Sequence, residues 1–166
     1  MVEYVDIVDD DDNVIGKTTW KEMMDKSLLH RTSNVMVFNS KGELLVHKRA
    51  ATVRLYPSMH DIKIGGSVRA GESYEDAAKR ELFEEANISD VKLIELFTMK
   101  SRRKENNVNR NVFKCVYNGK IRLDKSEISE GRFMSLNKIK KLLDNGKLSP
   151  SAVDVLSEYL KRDNKK

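Results

Sequence analysis

Between Gly66 and Ile88 the chain reads GSVRAGESYEDAAKRELFEEANI, and no other stretch constrains the fold as much. Ser73 is followed three residues later by Asp76, an N-cap with a weak capping-box partner, and the pattern predicts a helix from about Tyr74 to Ala86. On it Glu81, Glu84 and Glu85 stand at i, i+3 and i+4, so three carboxylates share one face. Like charges at that spacing repel. A helix built only for stability would carry Lys or Arg four residues after Glu81, and Glu85 there costs roughly 0.3 to 0.5 kcal/mol unless something positive lies between them. A bound cation compensates. Mg²⁺ suits best, with Mn²⁺ as a substitute, because it accepts all-oxygen ligands, keeps several waters and shares itself between carboxylates and phosphates. Glu85 is expected at an exposed position.

The 166 residues, 39% of them hydrophobic, are enough for one domain with its own core. No run approaches the roughly 20 apolar residues of a membrane helix, and the opening MVEYVDIVDDDD is acidic where a secretory signal is basic and then apolar. A cytoplasmic protein is expected. The single cysteine, Cys115, excludes an intrachain disulfide and any multi-cysteine zinc site, and the alternating run NVFKCVY makes it a strand residue. The net charge of +5 suits an anionic partner, but the basic residues are spread out. The densest clusters are His47-Lys48-Arg49, Lys100 to Lys104 and the tail KRDNKK, each expected by default to be a solvated face or chain end.

Residues 1 to about 18 read as a hairpin, VEYVDIV and NVIGKTT around an acidic turn, Asp9 to Asn13, too polar for a core. A short helix, TWKEMMDK, follows. TSNVMVFN and ELLVHKR pair around Ser40-Lys41-Gly42 and form the centre of a sheet. HDIKI is a strand running into Gly65-Gly66, VKLIELFTMK and NRNVFKCVY are long strands joined by a polar, basic loop, and EISEGRFMSL is a shorter one. Two helices close the chain, NKIKKLLDNG, stopped at Gly146, and one from Pro150 to Arg162 capped at Ser149. The fold class is α+β, an α/β/α sandwich with a mixed sheet between helices.

Gly66, Glu72, Arg80, Glu81, Leu82, Glu84, Glu85 and Ile88 match eight of the nine specified positions of G-x5-E-x7-R-E-U-x-E-E-x-G-U, where U is a bulky aliphatic residue. In residues 66–88 the chain resembles the Nudix family. Asn87 replaces the usual glycine, and Asn is the non-glycine residue that best tolerates the left-handed backbone needed there. The resemblance implies a pyrophosphohydrolase that holds divalent metal against a diphosphate. It makes Glu81 and Glu85 the principal metal ligands, Glu84 a further ligand and the Gly65 carbonyl a backbone ligand. Arg80 and Glu72 pin the loop to the helix. The base that activates water is Glu84 or Glu85, or a glutamate outside the box, for which Glu127 and Glu130 are placed.

LLHRTSNVMVFNSKGELLVHKRA and YPSMHDIKIGGSV look like the branch of that family that includes isopentenyl-diphosphate isomerase, so the resemblance runs from about Leu28 to Ile88. His30 matches a metal-binding histidine of the isomerases. Gly65 and Ser67 stand where those enzymes need a cysteine and a histidine, and Cys115 lies far along the chain, so the implied activity is hydrolysis. Isomerisation of an isoprenoid diphosphate, and a non-catalytic module binding a nucleotide or RNA, are the alternatives. The expected substrate is a small-molecule diphosphate, with a nucleoside diphosphate linked to another group preferred over an RNA end. Arg49, Arg102 and Arg103, with Tyr56, His60 and Arg110, are the candidate substrate contacts. The N-terminal hairpin could pair across a homodimer.

Overall fold

The computed structural model describes residues 1–163. In chain order the elements are β1 (Tyr4–Val8), β2 (Val14–Thr19), α1 (Trp20–Lys26), β3 (His30–Phe38), β4 (Leu44–Arg49), β5 (His60–Asp61), β6 (Ile64–Ser67), α2 (Tyr74–Ala86), β7 (Ile94–Arg103), β8 (Asn106–Val116), β9 (Ile128–Met134), α3 (Leu136–Asp144) and α4 (Pro150–Asp163). The sheet is mixed. β3 runs parallel to β8 over its whole length and antiparallel to β6, β7 pairs antiparallel with β8, and β9 with β4.

Alternation along the central strands sorts side chains onto two faces. Met36, Leu44, Val46 and Val112 pack with Ile139, Val155 and Leu156 from α3 and α4. Val35, Val37, Leu45, Phe113 and Cys115 pack with Ala78, Leu82 and Ala86 from α2. This is the expected α/β/α sandwich.

Helix α2 has the expected ends. Ser73 Oγ accepts from the Asp76 amide at 3.1 Å and donates to the Asp76 carboxylate at 2.7 Å. At the other end Asn87 is left-handed, with φ 55° and ψ 39°, and its amide bonds back into the last turn. Three details depart from the sequence reading. The segment Ser101 to Arg103, expected in a basic loop, continues β7, with Arg102 opposite Asn107 and Arg103 opposite Asn106, so only Lys104 and Glu105 form the turn. HDIKI is broken into β5 and β6, because Asp61 and Lys63 turn toward each other as a buried ion pair at 3.0 Å. The acidic turn is not wholly solvated: Asp12 accepts hydrogen bonds from Arg31, Tyr74 and Asn109. No helix among the described residues is long and apolar enough to cross a membrane.

Candidate active site

β3 and β4 pair only at Phe38 and Leu44, beside their connecting turn; beyond it β3 takes β6 as neighbour and β4 takes β5. The divergence opens a cleft of about 580 Å³. Its wall includes Glu81, Glu84 and Glu85 of α2, with Gly65, Gly66 and Glu127. His30, Thr32, Asn34, Asp61, Lys63 and Arg110 line it too, as do Arg49, Trp20 and Tyr56.

Two glycines let α2 approach the sheet edge. Gly65 has φ +148°, and a Cβ there would run into the Ser33 carbonyl. At Gly66 a Cβ would lie 2.7 Å from Glu81 Oε1, so the Glu81 carboxylate occupies the space that the missing side chain leaves.

The acidic face is more enclosed than expected. Glu81 is buried and Glu85 half-buried, and the two carboxyl groups are within hydrogen-bonding reach of each other. Burial first, and then the charges of Glu81 and Glu127, push the Glu85 carboxyl well above the usual carboxylate range. Burial also raises Glu81, against the pull of Arg80. Glu84 is turned away: it is 44% exposed and engages Arg80 at 3.2 Å and Arg69 at 3.4 Å. The expected cluster of three is therefore a pair with a neighbour. Among the described residues no three His, Cys, Asp or Glu side chains converge into a metal cage. A crowded pair still fits Mg²⁺, which commonly takes one or two carboxylates, waters and substrate phosphate oxygens rather than an all-protein shell. A divalent cation there would offset the repulsion between the two carboxylates.

Arg80 ties the loop to the helix. Its guanidinium donates to both Glu72 oxygens at 2.9 Å, to Glu81 at 2.6 Å and to the Ser67 carbonyl at 3.0 Å. Glu72 in turn accepts from the Arg69 amide. On the far side, the Glu85 and Ala86 carbonyls at the end of α2 accept from the amides of Asp124 and Arg122, and the Glu127 carbonyl accepts from Ala50. These bonds fix the Glu127 loop to both α2 and β4. Burial raises the Glu127 carboxyl, with Arg49 opposing.

A model of the NUDIX domain matches residues 28–154. The chain belongs to the Nudix family. Among curated Nudix relatives, the uncharacterized Nudix hydrolase PA4841 of Pseudomonas aeruginosa is 37% identical over 132 residues, covering 80% of this chain and 78% of its own. Among solved structures, DR0079 from Deinococcus radiodurans superposes with a TM-score of 0.82 at 23% identity, covering 96% of this chain and 98% of that one. The Nudix domain of Shewanella oneidensis NrtR, complexed with ADP ribose, gives a TM-score of 0.64 at 14% identity, covering 80% and 86%. The chain is thus a Nudix hydrolase, of a family whose pyrophosphohydrolases use divalent metal.

Within this Nudix fold the sequence-predicted residues separate. Gly65, Gly66, Arg80, Glu81, Glu84, Glu85, Glu127, Arg49, Tyr56 and Arg110 line one cleft, with Glu72 bonded just behind it. Arg102 and Arg103 are corrected: neither lines it, because Arg102 pairs with Asp10 at 2.7 Å and Arg103 with Asp154. His60 is not part of the lining, and Glu130 is exposed on β9 opposite Lys48. His30 is buried in the cleft wall, its Nδ1 donating to the Leu28 carbonyl at 3.0 Å, and burial lowers its pKa. Cys115 is in the core beneath α2, its thiol raised by burial to about 11. The tail KRDNKK is described only through Asp163; residues 164–166 lie outside the described residues. Sequence reasoning missed Asp61, Lys63, Thr32, Asn34 and Arg69 of the lining. The one signal for them was a pair of opposite charges two apart in the apolar run HDIKI.

Proposed function

We propose that this Nudix hydrolase cleaves the diphosphate of a small molecule seated in the cleft, with Mg²⁺ as its metal and Mn²⁺ as a substitute. The observation that carries the reading is the crowded Glu81–Glu85 pair, in a cleft that also holds Arg49 and Arg110. Glu81, Glu85 and the Gly65 carbonyl are the groups to hold the metal, and Glu84 contributes through water. When bound, the metal neutralises the diphosphate and lowers the pKa of a coordinated water.

The remaining chemistry belongs to the chain. Glu127 is our choice of base, because Glu84 is engaged by two arginines and Glu85 by Glu81. Arg49, whose charge acts on both Glu85 and Glu127, is our choice to hold phosphoryl oxygens. Arg80, bonded to Glu72, Glu81 and Ser67, keeps the carboxylates in register. A nucleoside diphosphate linked to another group is the preferred substrate: Trp20 and Tyr56 offer aromatic surfaces in the cleft, and the Nudix domain of NrtR is a neighbour complexed with ADP ribose. The β1–β2 hairpin and α1 are read as part of the same catalytic unit, since Trp20 and Met24 reach the lining.

The segment Leu28–Ile88 supports descent from an isomerase-like branch. Isomerisation itself is disfavoured, because Gly65 and Ser67 hold the positions its cysteine and histidine need and Cys115 is sealed in the core.

The test is product analysis across a panel of nucleoside diphosphate conjugates, nucleoside triphosphates, a capped RNA and an isoprenoid diphosphate. Wild type and Glu85→Gln would be run with Mg²⁺, Mn²⁺ or EDTA. Metal-dependent cleavage by wild type, reduced roughly 100-fold or more in the variant, is expected. Turnover in EDTA, or an undiminished variant, would sink the assignment.

A further inference from the structure

Arg110 sits on β8 in the cleft wall and is only 3% exposed. Its Nε and Nη1 are buried and have no hydrogen-bond partner among the described residues. The two carboxylates whose charges act most on it are already engaged. Asp61 is paired with Lys63 at 3.0 Å and accepts from Ser149 Oγ at 3.0 Å, and Asp154 is paired with Arg103. On the adjoining strand, Thr32 lies opposite Arg110 in register, and Thr32 Oγ1 and Asn34 Oδ1 are also buried without partners among the described residues. Three polar side chains on one cleft wall thus have unmet bonding capacity. A buried guanidinium needs an anion with acceptor oxygens to offset the loss of its water, and its fork matches the paired oxygens of a phosphate or carboxylate.

Glu85 on α2 and Arg110 on β8 have different charged neighbours. Glu85 feels Glu81, Glu127 and Arg49, whereas Arg110 feels Asp61, Asp154, Tyr56 and Arg103. We propose that Arg110 is the receptor for a second anionic group of the substrate, a phosphomonoester or a carboxylate, apart from the diphosphate positioned at Glu81 and Glu85. The Thr32 hydroxyl, a donor without a partner among the described residues, completes that subsite. The inference rests on the hydrolytic reading of the cleft, and it narrows the substrate class to diphosphates that carry another anion.

The test needs neither metal nor turnover. Thermal unfolding of the full chain in EDTA is followed for wild type, Arg110→Met and Arg110→Lys, in rising inorganic phosphate or rising succinate, against chloride of equal ionic strength. Wild type is expected to gain melting temperature with one of the two anions, and which one does so names the group. Arg110→Met is expected to melt no lower than wild type without anion, because an unpartnered charge is gone, and to lose the anion response. Arg110→Lys, which keeps the charge without the fork, should show a reduced response and serves if the Met variant does not fold. A response no larger than that of chloride, an equal response in the variants, or an Arg110→Met protein that melts well below wild type would overturn the proposal.

In turnover, substrates bearing the second anion should lose roughly 30-fold or more in kcat/KM with Arg110→Met, while those lacking it change little. If no diphosphate is cleaved but the Arg110-dependent anion response stands, the hydrolytic reading fails and the anion site survives. Cleavage with no dependence on Arg110 keeps the hydrolase and removes the anion site.

Discussion

Replacing Gly66 by alanine is expected to disable catalysis while leaving the fold in place. The backbone at Gly66 is not left-handed, so alanine adopts it without strain. The added Cβ lies 2.7 Å from Glu81 Oε1, 3.0 Å from Cδ and 3.2 Å from Oε2, where ordinary contact begins at 3.4 Å. The carboxylate must therefore retreat by about 0.7 Å from a position in which it bonds Arg80 at 2.6 Å and faces Glu85. Weakening one charge-assisted hydrogen bond costs about 1.5 to 3 kcal/mol, and the stiffer unfolded chain returns about 0.4 to 1 kcal/mol. A net loss near 1 to 2 kcal/mol leaves an ordinary domain folded. A displacement approaching 1 Å at a catalytic ligand can lower the rate by about 100-fold. The assay is kcat/KM with Mg²⁺ for the best-cleaved diphosphate, beside urea unfolding of the same preparations. Gly16→Ala, whose nearest neighbour to the new Cβ is 4.0 Å away, is the control. A Gly66→Ala enzyme within about threefold of wild type in kcat/KM would refute the argument that Glu81 must occupy that space.

Glu127→Gln is expected to lower kcat by about 100-fold or more with little change in KM, whereas Glu130→Gln, exposed on β9 outside the cleft, should behave as wild type; steady-state kinetics of the two variants decides. Cys115→Ser should keep hydrolysis once folded, since the thiol lies in the core beneath α2; inactivity of a folded variant would reopen a thiol mechanism. Acid should weaken the fold through His47, 2% exposed and lowered by burial from 6.5 to about 4. The unfolded chain takes up that proton first, so the contribution is complete above pH 6.5 and falls by up to roughly 3 kcal/mol toward pH 4. Urea unfolding against pH, with the imidazole titration followed by NMR, checks this, and a folded-state His47 pKa near 6.5 would remove it.

What the sequence revealed was mainly local. Ser73, the alternation of Val35, Met36 and Val37, and Asn87 carry their structural meaning within a few residues, so α2 and the central strands were legible. The cleft was not, because it arises where β3 and β4 part, and nothing in TSNVMVFN or ELLVHKR announces that they pair at one position only. Glu85 was expected at an exposed position because α2 alone leaves it so; the walls that enclose it come from Arg49 and Glu127, far along the chain. Arg102 and Arg103 failed as substrate contacts for a similar reason. A dense basic run reads as free charge until the structure supplies Asp10 and Asp154.

The parallel pairing of β3 with β8, His30 beside Val108 through Phe38 beside Val116, also dictates when the site can exist. α2 lies in the chain between these strands and can coil early from local signals, but Arg110 reaches the cleft wall only after the long intervening loop has closed. Such closure is slow relative to helix formation. During synthesis, the glutamate helix leaves the ribosome before β8 does. A growing chain that ends short of β8 therefore carries the glutamate helix with Arg80 in place but lacks Arg110, and ligand recognition is among the last properties the protein acquires.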